Sequence, residues 1–304
     1  MDLKSVGMGF AFAFMWASAF SSTRIIVLAA PPLTALVIRF ALSAVLGIII
    51  ARAMGQSWKL TRTEWRVLII FGVMQNALYL GLNWVAMRTI EASASAIIAS
   101  MMPLLVAFLG WVWLGEKLRP MAVVGLVLGV LGVTIVMGVR LQHGLDPFGL
   151  ILALIGVVAL TLATLVARGA GGSKNMMMIV ALQMAVGAIV LAVPAVLLEW
   201  GEPLVWTWEL VAAFVYTVLA PGLAATFIWF LLVNRIGAIR AATFHFLSPI
   251  FGVSIAALLL GERFGLSDVL GAAIVAAGIL MVQMARLPVV RDQRSSTART
   301  DERS

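Results

Sequence analysis

The chain is predicted to be an all-α integral membrane protein of ten transmembrane helices in two inverted five-helix repeats. Three observations predict this. Hydrophobic residues make up 63% of the chain and charged residues 11%, against roughly 25% charged in a soluble domain. Apolar stretches of about 20 residues, the length that carries a helix across the hydrocarbon, follow one another with short loops between them. One segment also occurs twice. Pro103, Gly115, Glu116, Gly125 and Gly132 return 146 positions later, without a gap, as Pro249, Gly261, Glu262, Gly271 and Gly278, and Lys117 returns as Arg263. Duplicated units of this kind are a common build of transporters. A membrane β-barrel would show short alternating strands, and none occur.

The ten spans are predicted, in order, at 5–27, 34–52, 66–86, 92–114, 120–138, 148–167, 177–198, 208–232, 238–259 and 266–285. The first apolar run extends from Val6 to Ala30, longer than the apolar core of a signal peptide. Residues 1–138 form the first repeat, 139–147 a polar external hinge, and 148–285 the second repeat. The tail, 286–304, is polar and of mixed charge and is expected to be disordered and cytoplasmic.

Charge sets the orientation. Arg24, Arg88, Arg140 and Arg263 fall on one side and Arg39 lies inside a span, while every other Lys and Arg falls on the opposite side. Cytoplasmic loops collect basic residues, so both termini are expected in the cytoplasm. The net charge of +8 is thereby an orientation signal rather than a sign of nucleic-acid binding. Five spans per repeat make the second copy enter the membrane from the opposite side, related to the first by a pseudo-two-fold axis in the membrane plane. The Gly-Glu-Lys turn is then cytoplasmic and the Gly-Glu-Arg turn external. Trp58, Trp65, Trp84, Trp111, Trp113, Trp200, Trp206, Trp208 and Trp229 are placed near span ends as interface anchors, and Trp16 alone at mid-span.

Several function classes are excluded or disfavoured. With no cysteine there is no disulfide and no thiolate site. There is no Walker A motif, no His-Glu-x-x-His zinc motif and no intramembrane aspartate pair, so neither an enzyme nor a bound cofactor is expected. A membrane sensor would be expected to carry a folded soluble output domain, and the sequence has none.

The Arg39-Phe40 pair early in the second span, the Pro103 helix ending in Gly115-Glu116-Lys117, and its second copy from Pro249 to Arg263 resemble the ten-span permeases of the drug/metabolite transporter superfamily, which are built of two EamA-type repeats. The resemblance covers residues 5–285, although the span from Met177 to Leu198 has no counterpart of Arg39. Within that superfamily the chain looks like the YddG-type exporters of aromatic and other apolar amino acids. The resemblance implies alternating access, a central cavity between the repeats, export of a small-molecule substrate across a bacterial inner membrane, and an amino acid as that substrate. Another small organic solute is the alternative. Each pair of repeats forms a complete unit, so a monomer is expected.

Candidate site residues follow from polarity near the midplane. Pro103 and Pro249 sit at mid-span, where proline removes a backbone hydrogen bond and kinks a helix; they are candidate hinges or packing kinks. Gln75, Tyr79 and Asn83, four apart, fall on one helical face, and a polar stripe in a membrane faces protein or water. His245 and Ser248 share a face, and Trp16 offers an aromatic wall. Trp16, Gln75, Tyr79, Asn83, His245 and Ser248 are therefore the expected substrate contacts, with Ser100, Thr161, Thr164 and Thr226 ranked lower because such hydroxyls bond their own helix. Arg39, Glu116 and Glu262 are assigned structural roles, Arg39 by reaching outward or pairing with Glu91 or another outer acid. All 13 acidic residues fall at termini, loops or span ends. No carboxylate is left at the membrane centre to relay protons, so facilitated or weakly proton-coupled transport is expected, with His245 the remaining candidate for coupling.

Overall fold

The computed structural model describes residues 2–167 and 174–286. Among them, ten helices are long and apolar enough to cross a membrane: α1 Leu3–Ala29, α2 Pro32–Ala53, α3 Arg62–Ala86, α4 Ala92–Leu114, α5 Pro120–Gln142, α6 Pro147–Ala167, α7 Met176–Glu199, α8 Trp208–Ile236, α9 Arg240–Leu260 and α10 Leu266–Ala285. A helix satisfies its backbone polar groups internally, which lipid demands. Each helix turns one apolar face inward and another outward. On α2, Leu36, Phe40 and Ala44 are buried while Ile38, Leu42, Val45 and Ile49 are exposed, and that outer row is suited to lipid. The tail beyond Arg286 and Arg168 of the basic loop lie outside the described residues.

The repeats meet along a seam of glycines. A Cβ on Gly125 would stand 2.6 Å from the Gly278 carbonyl oxygen, and a Cβ on Gly278 would stand 2.6 Å from that of Gly125. Gly132 and Gly271 meet in the same way at 2.9 and 3.0 Å. As the number rises in α5 it falls in α10, so the two helices run antiparallel. They are also equivalent helices, Gly271 being the copy of Gly125 and Gly278 the copy of Gly132. Residue i of one copy touches residue j of the other, and j touches i, as at a two-fold axis. The same antiparallel relation joins α2 and α7. Glu199 at the end of α7 reaches the backbone of Leu33 and Thr34 at the start of α2, and Gly47 packs against Ala181.

The two Gly-Glu turns lie on opposite faces of the molecule. Glu262, after α9, bonds the backbone of Ala92 and Ser93 at the start of α4, whereas Glu116 follows the far end of that helix. Both turns open on a left-handed glycine, Gly115 with φ 66° and Gly261 with φ 65°, which closes a helix without the steric cost of a side chain.

The structure changes three details. Helix α5 continues to Gln142 and α6 begins at Pro147, so 143–146 is the stretch outside both helices. Arg140 reads as a loop residue because it is charged, yet it is buried and paired with Asp268. Second, α4 and α9 are interrupted just before their prolines. Ser100 and Met101 form a turn ahead of Pro103, and Phe244–Leu247 is a tighter helical turn ahead of Pro249. Third, two helices contain widened π-helical stretches, Gly72–Leu80 in α3 and Val218–Ala224 in α8.

Candidate functional site

A cavity of about 980 Å³ lies between the repeats. Glu64, Glu116, Lys117, Arg119 and Arg286 line it, all from helix ends or turns on one face of the molecule. Its inner wall carries Phe12, Trp16, Gln75, Pro103, Gln183, Pro221, Trp229 and His245. The cavity therefore opens on the Lys117 face and ends inside the protein.

The inner wall is an aromatic cluster. Ring centroids lie 4.7 Å apart for Phe12 and Trp229, and 5.3 Å apart for His245 with each of them. Trp16 stands 6.1 Å from Phe12 and 6.3 Å from His245. Edge-on and tilted contacts at these distances are the favoured geometries for aromatic pairs. Nδ1 of His245 lies 3.2 Å from the Ala242 carbonyl oxygen. A carbonyl only accepts, so in the neutral ring Nδ1 carries the proton and Nε2 remains an acceptor. Thr164 and Thr226 also line the cavity and donate to Leu160 and Gly222 of their own helices. Ser100 and Thr161 bond their own helices too, at the carbonyls of Ala96 and Val157. The acidic lining residues among those described are Glu64 and Glu116, both on the Lys117 face.

The structure separates the polar stripe predicted on α3. Gln75 lines the cavity, whereas Tyr79 and Asn83 are buried and do not line it. The reason is depth: Tyr79 and Asn83 lie about one and two turns farther along α3 than Gln75, away from the Lys117 face and beyond the inner end of the cavity. Tyr79 instead packs against Gly156 of α6. Asn76, next to Gln75, is buried and donates to the Gln183 carbonyl, 2.9 Å away. Ser248 and Pro249 are buried away from the cavity wall, and Pro103 is on it. Arg39 is buried too, its guanidinium carbon 5.4 Å from the Phe40 ring centre and 5.7 Å from that of Trp84. The acid expected to pair with it, Glu91, is bound to Arg140.

The opposite face is laced shut. Arg140 donates from Nε to Asp268 at 2.8 Å, from Nη2 to the Ser93 hydroxyl at 3.0 Å, and from Nη1 to Glu91. Glu262 accepts from the Ala92 amide at 2.8 Å, the Ser93 amide at 3.1 Å and the Ser93 hydroxyl. Arg24 donates to the Met87 carbonyl, and Arg88 pairs with Glu202 at 3.1 Å. Thr89 donates to Asp146 at 2.7 Å. That bond and the Gly149 amide hold the Asp146 carboxyl below the usual carboxylate range.

Sequence reasoning missed Phe12, Trp229, Gln183 and Arg140. Phe12 stands one helical turn before Trp16, and Gln183 is the lone glutamine of an apolar helix, so both left a signal. Trp229 was placed among the interface anchors, but it lies on the cavity wall in the 29-residue α8.

The profile of the EamA-like transporter family matches the chain twice, over residues 3–138 and 147–284. Similar proteins include the uncharacterized transporter YvbV of Bacillus subtilis (strain 168), 24% identical over 268 residues and covering 88% of each chain. Another is the protein PecM of Dickeya dadantii (strain 3937), 23% identical over 278 residues, covering 90% of this chain and 91% of that one. A solved crystal structure superposes with a TM-score of 0.67 at 19% identity, covering 93% of this chain and 99% of the other; that likeness shows the fold. The double match, the ten spans and the cavity between inverted repeats agree: the chain is a membrane transporter and belongs to the EamA-like transporter family.

Proposed function

We propose that this chain exports amino acids, with aromatic and other apolar ones preferred, by alternating access across a bacterial inner membrane. The observation that carries the reading is the inner wall of the cavity. Phe12, Trp16, Trp229 and His245 offer a flat apolar surface of the kind that packs an aromatic or branched side chain. Gln75, Gln183 and the Nε2 of His245 supply polar atoms for a zwitterion. A protonated amine also gains from lying over an indole face. Trp16, Gln75 and His245 are the substrate contacts in this conformation, and Tyr79, Asn83 and Ser248 stand behind that wall. Pro103 and Pro249, each beside an interrupted helix, act as the hinges.

The positive-inside rule makes the Lys117 face cytoplasmic. The conformation is then open to the cytoplasm and closed outside, ready to receive substrate for export. Among the described residues no carboxylate lines the inner cavity, which favours facilitated or weakly proton-coupled movement. The protein works as a monomer, each chain carrying its own cavity.

Purified protein in liposomes tests the reading. Trapped radiolabelled phenylalanine, tryptophan or leucine should exchange with external amino acid, and exchange of the aromatic ones at low concentration should slow when Trp16→Ala is used. Movement of other organic solutes with none of these amino acids carried would overturn the substrate and leave the transporter.

A further inference from the structure

A cation is buried in the outer half of the protein, and among the described residues no acid pairs with it. Arg39 lies about two turns inside the outer end of α2 and is 7% exposed. Its guanidinium rests against the Phe40 and Trp84 rings, and its Nε donates to no acceptor among the described residues. Three outer acids are taken up elsewhere: Glu91 by Arg140, Glu199 by the start of α2 and Glu202 by Arg88. The nearby Tyr79 phenol is neutral at pH 7 and balances no charge. One turn deeper on the same face of α2, the Ser43 hydroxyl is buried and also unpaired. A buried charge without a counter-charge is strongly destabilising, and an ionisable group held at membrane depth marks a substrate pathway by default.

Both side chains meet α8. A Cβ on Gly222 would stand 3.7 Å from the Ser43 Oγ and 3.8 Å from the Arg39 Nη2. The residue before it, Pro221, lines the cavity. One stretch of α8 therefore stands between the open cavity and the buried cation. That stretch, Val218–Ala224, is the π-helical segment of α8 and contains the proline. Wide turns of this kind recur at functional sites, and proline withholds one of the backbone bonds that would stiffen the helix. Just outside it, two hydroxyl pairs hold α8 to α1, Ser22 with Thr217 at 2.8 Å and Ser18 with Tyr216 at 2.6 Å. Arg39 and Ser43 belong to the first repeat and Gly222 to the second, so this is a contact between halves of the kind that alternating access parts.

We propose that Arg39 and Ser43 form a carboxylate-binding station on the outer half of the transport path, reached when this stretch of α8 draws away. The Nε–Nη2 edge of a guanidinium takes a carboxylate side-on through two parallel bonds, and Arg235 holds Asp2 by that same edge at the surface. The Ser43 hydroxyl donates a third bond. The substrate's carboxylate supplies the counter-charge that the protein itself withholds, while the substrate's side chain leaves the aromatic wall around Trp16. A solute with a carboxylate gains this contact in the outward conformation, and an analogue without one gains nothing there. The station rests on the proposed amino-acid substrate and adds the group by which that substrate is recognised beyond the wall.

The test compares labelled phenylalanine with phenethylamine, which lacks only the carboxylate, in liposomes holding the purified protein. Arg39→Gln should cut kcat/KM for phenylalanine about thirty-fold, the loss of a charge-assisted pair, and leave phenethylamine at its wild-type rate. Arg39→Lys should restore part of the phenylalanine rate, because it keeps the charge and not the fork. Ser43→Ala should cut phenylalanine about five-fold, one neutral hydrogen bond, and spare phenethylamine. A second measurement needs no substrate. Arg39→Gln removes an unbalanced buried charge, so in detergent it should melt no lower than wild type. Equal losses for the two solutes, or a clear fall in melting temperature, give Arg39 a packing role and overturn the station, while phenylalanine exchange by wild type leaves amino-acid export standing. Wild type that carries no amino acid overturns that export reading. The station then stands if wild type carries phenylacetate and Arg39→Gln does not, and falls with any other result.

Discussion

Removing one indole from the cavity wall isolates the contribution of a single ring. Trp16→Ala or Trp229→Ala should raise the half-saturation concentration for an aromatic amino acid about ten-fold, from the loss of roughly 1–1.5 kcal/mol of ring contact. Alanine should be carried with little change, and dose–response exchange assays on equal amounts of reconstituted protein would show the difference. Tyr79→Phe should leave rates near wild type, since Tyr79 packs on α6 and does not line the cavity; a deep loss would move Tyr79 into the substrate path. Asp146 carries the acid sensitivity of the closed face. Its carboxyl titrates below the usual range in the folded chain because of Thr89 and Gly149. Its contribution is complete above the ordinary carboxylate pKa and is lost as pH falls through the lower folded value. Thermal unfolding should therefore show no pH dependence from this residue between pH 6 and 8, above the usual titration range, and Asp146→Asn should narrow the gap between neutral and strongly acid melting temperatures. Arg140 and Asp268 are both buried. Arg140→Gln strands the aspartate, and a stranded buried charge costs about 3–5 kcal/mol. The melting temperature should fall well below that of the exposed-pair variant Arg88→Gln.

Among the helices, the α5–α10 seam admits the sharpest test. Gly278→Ala would place a methyl 2.6 Å from a carbonyl oxygen and 2.8 Å from the Gly129 nitrogen. Both obstacles are backbone, which cannot swing aside. A cost of about 1–3 kcal/mol or more follows for overpacking, to be read as loss of monodisperse protein after extraction, whereas Gly138→Ala, which meets nothing within 4 Å, should be silent. These glycines were legible in the sequence because the duplication repeats them, and so were the proline interruptions and the span limits. Other features were not. Periodicity reports which face residues share and not how deep a cavity reaches, so it grouped Gln75 with Tyr79 and Asn83, which lie beyond the cavity's inner end. Arg140 was hidden because charge near a span end reads as loop, and only Asp268, 128 residues away, makes it helix interior. Arg39 was matched to the wrong kind of neighbour, since rings leave no charge signature. Arg140 and Arg286 share the repeat offset, so comparing the copies beyond their apolar cores would have found them.

For the whole molecule, the distribution of charge argues against a strong proton motor. Exchange rates should change less than two-fold when a pH gradient of one unit is imposed on the liposomes, an expectation from the carboxylate-free inner cavity. Steep dependence would make His245 the coupling group and should vanish in His245→Gln. The glycine seam also limits how the halves can move. Gly125 with Gly278, and Gly132 with Gly271, are two backbone contacts separated by seven residues, or about 10 Å along the helix. Two fixed points define a line. The repeats are free to rock about that line like leaves on a hinge pin, but they cannot slide along it without driving peptide groups into one another, so the whole stroke of the carrier has to be rotational.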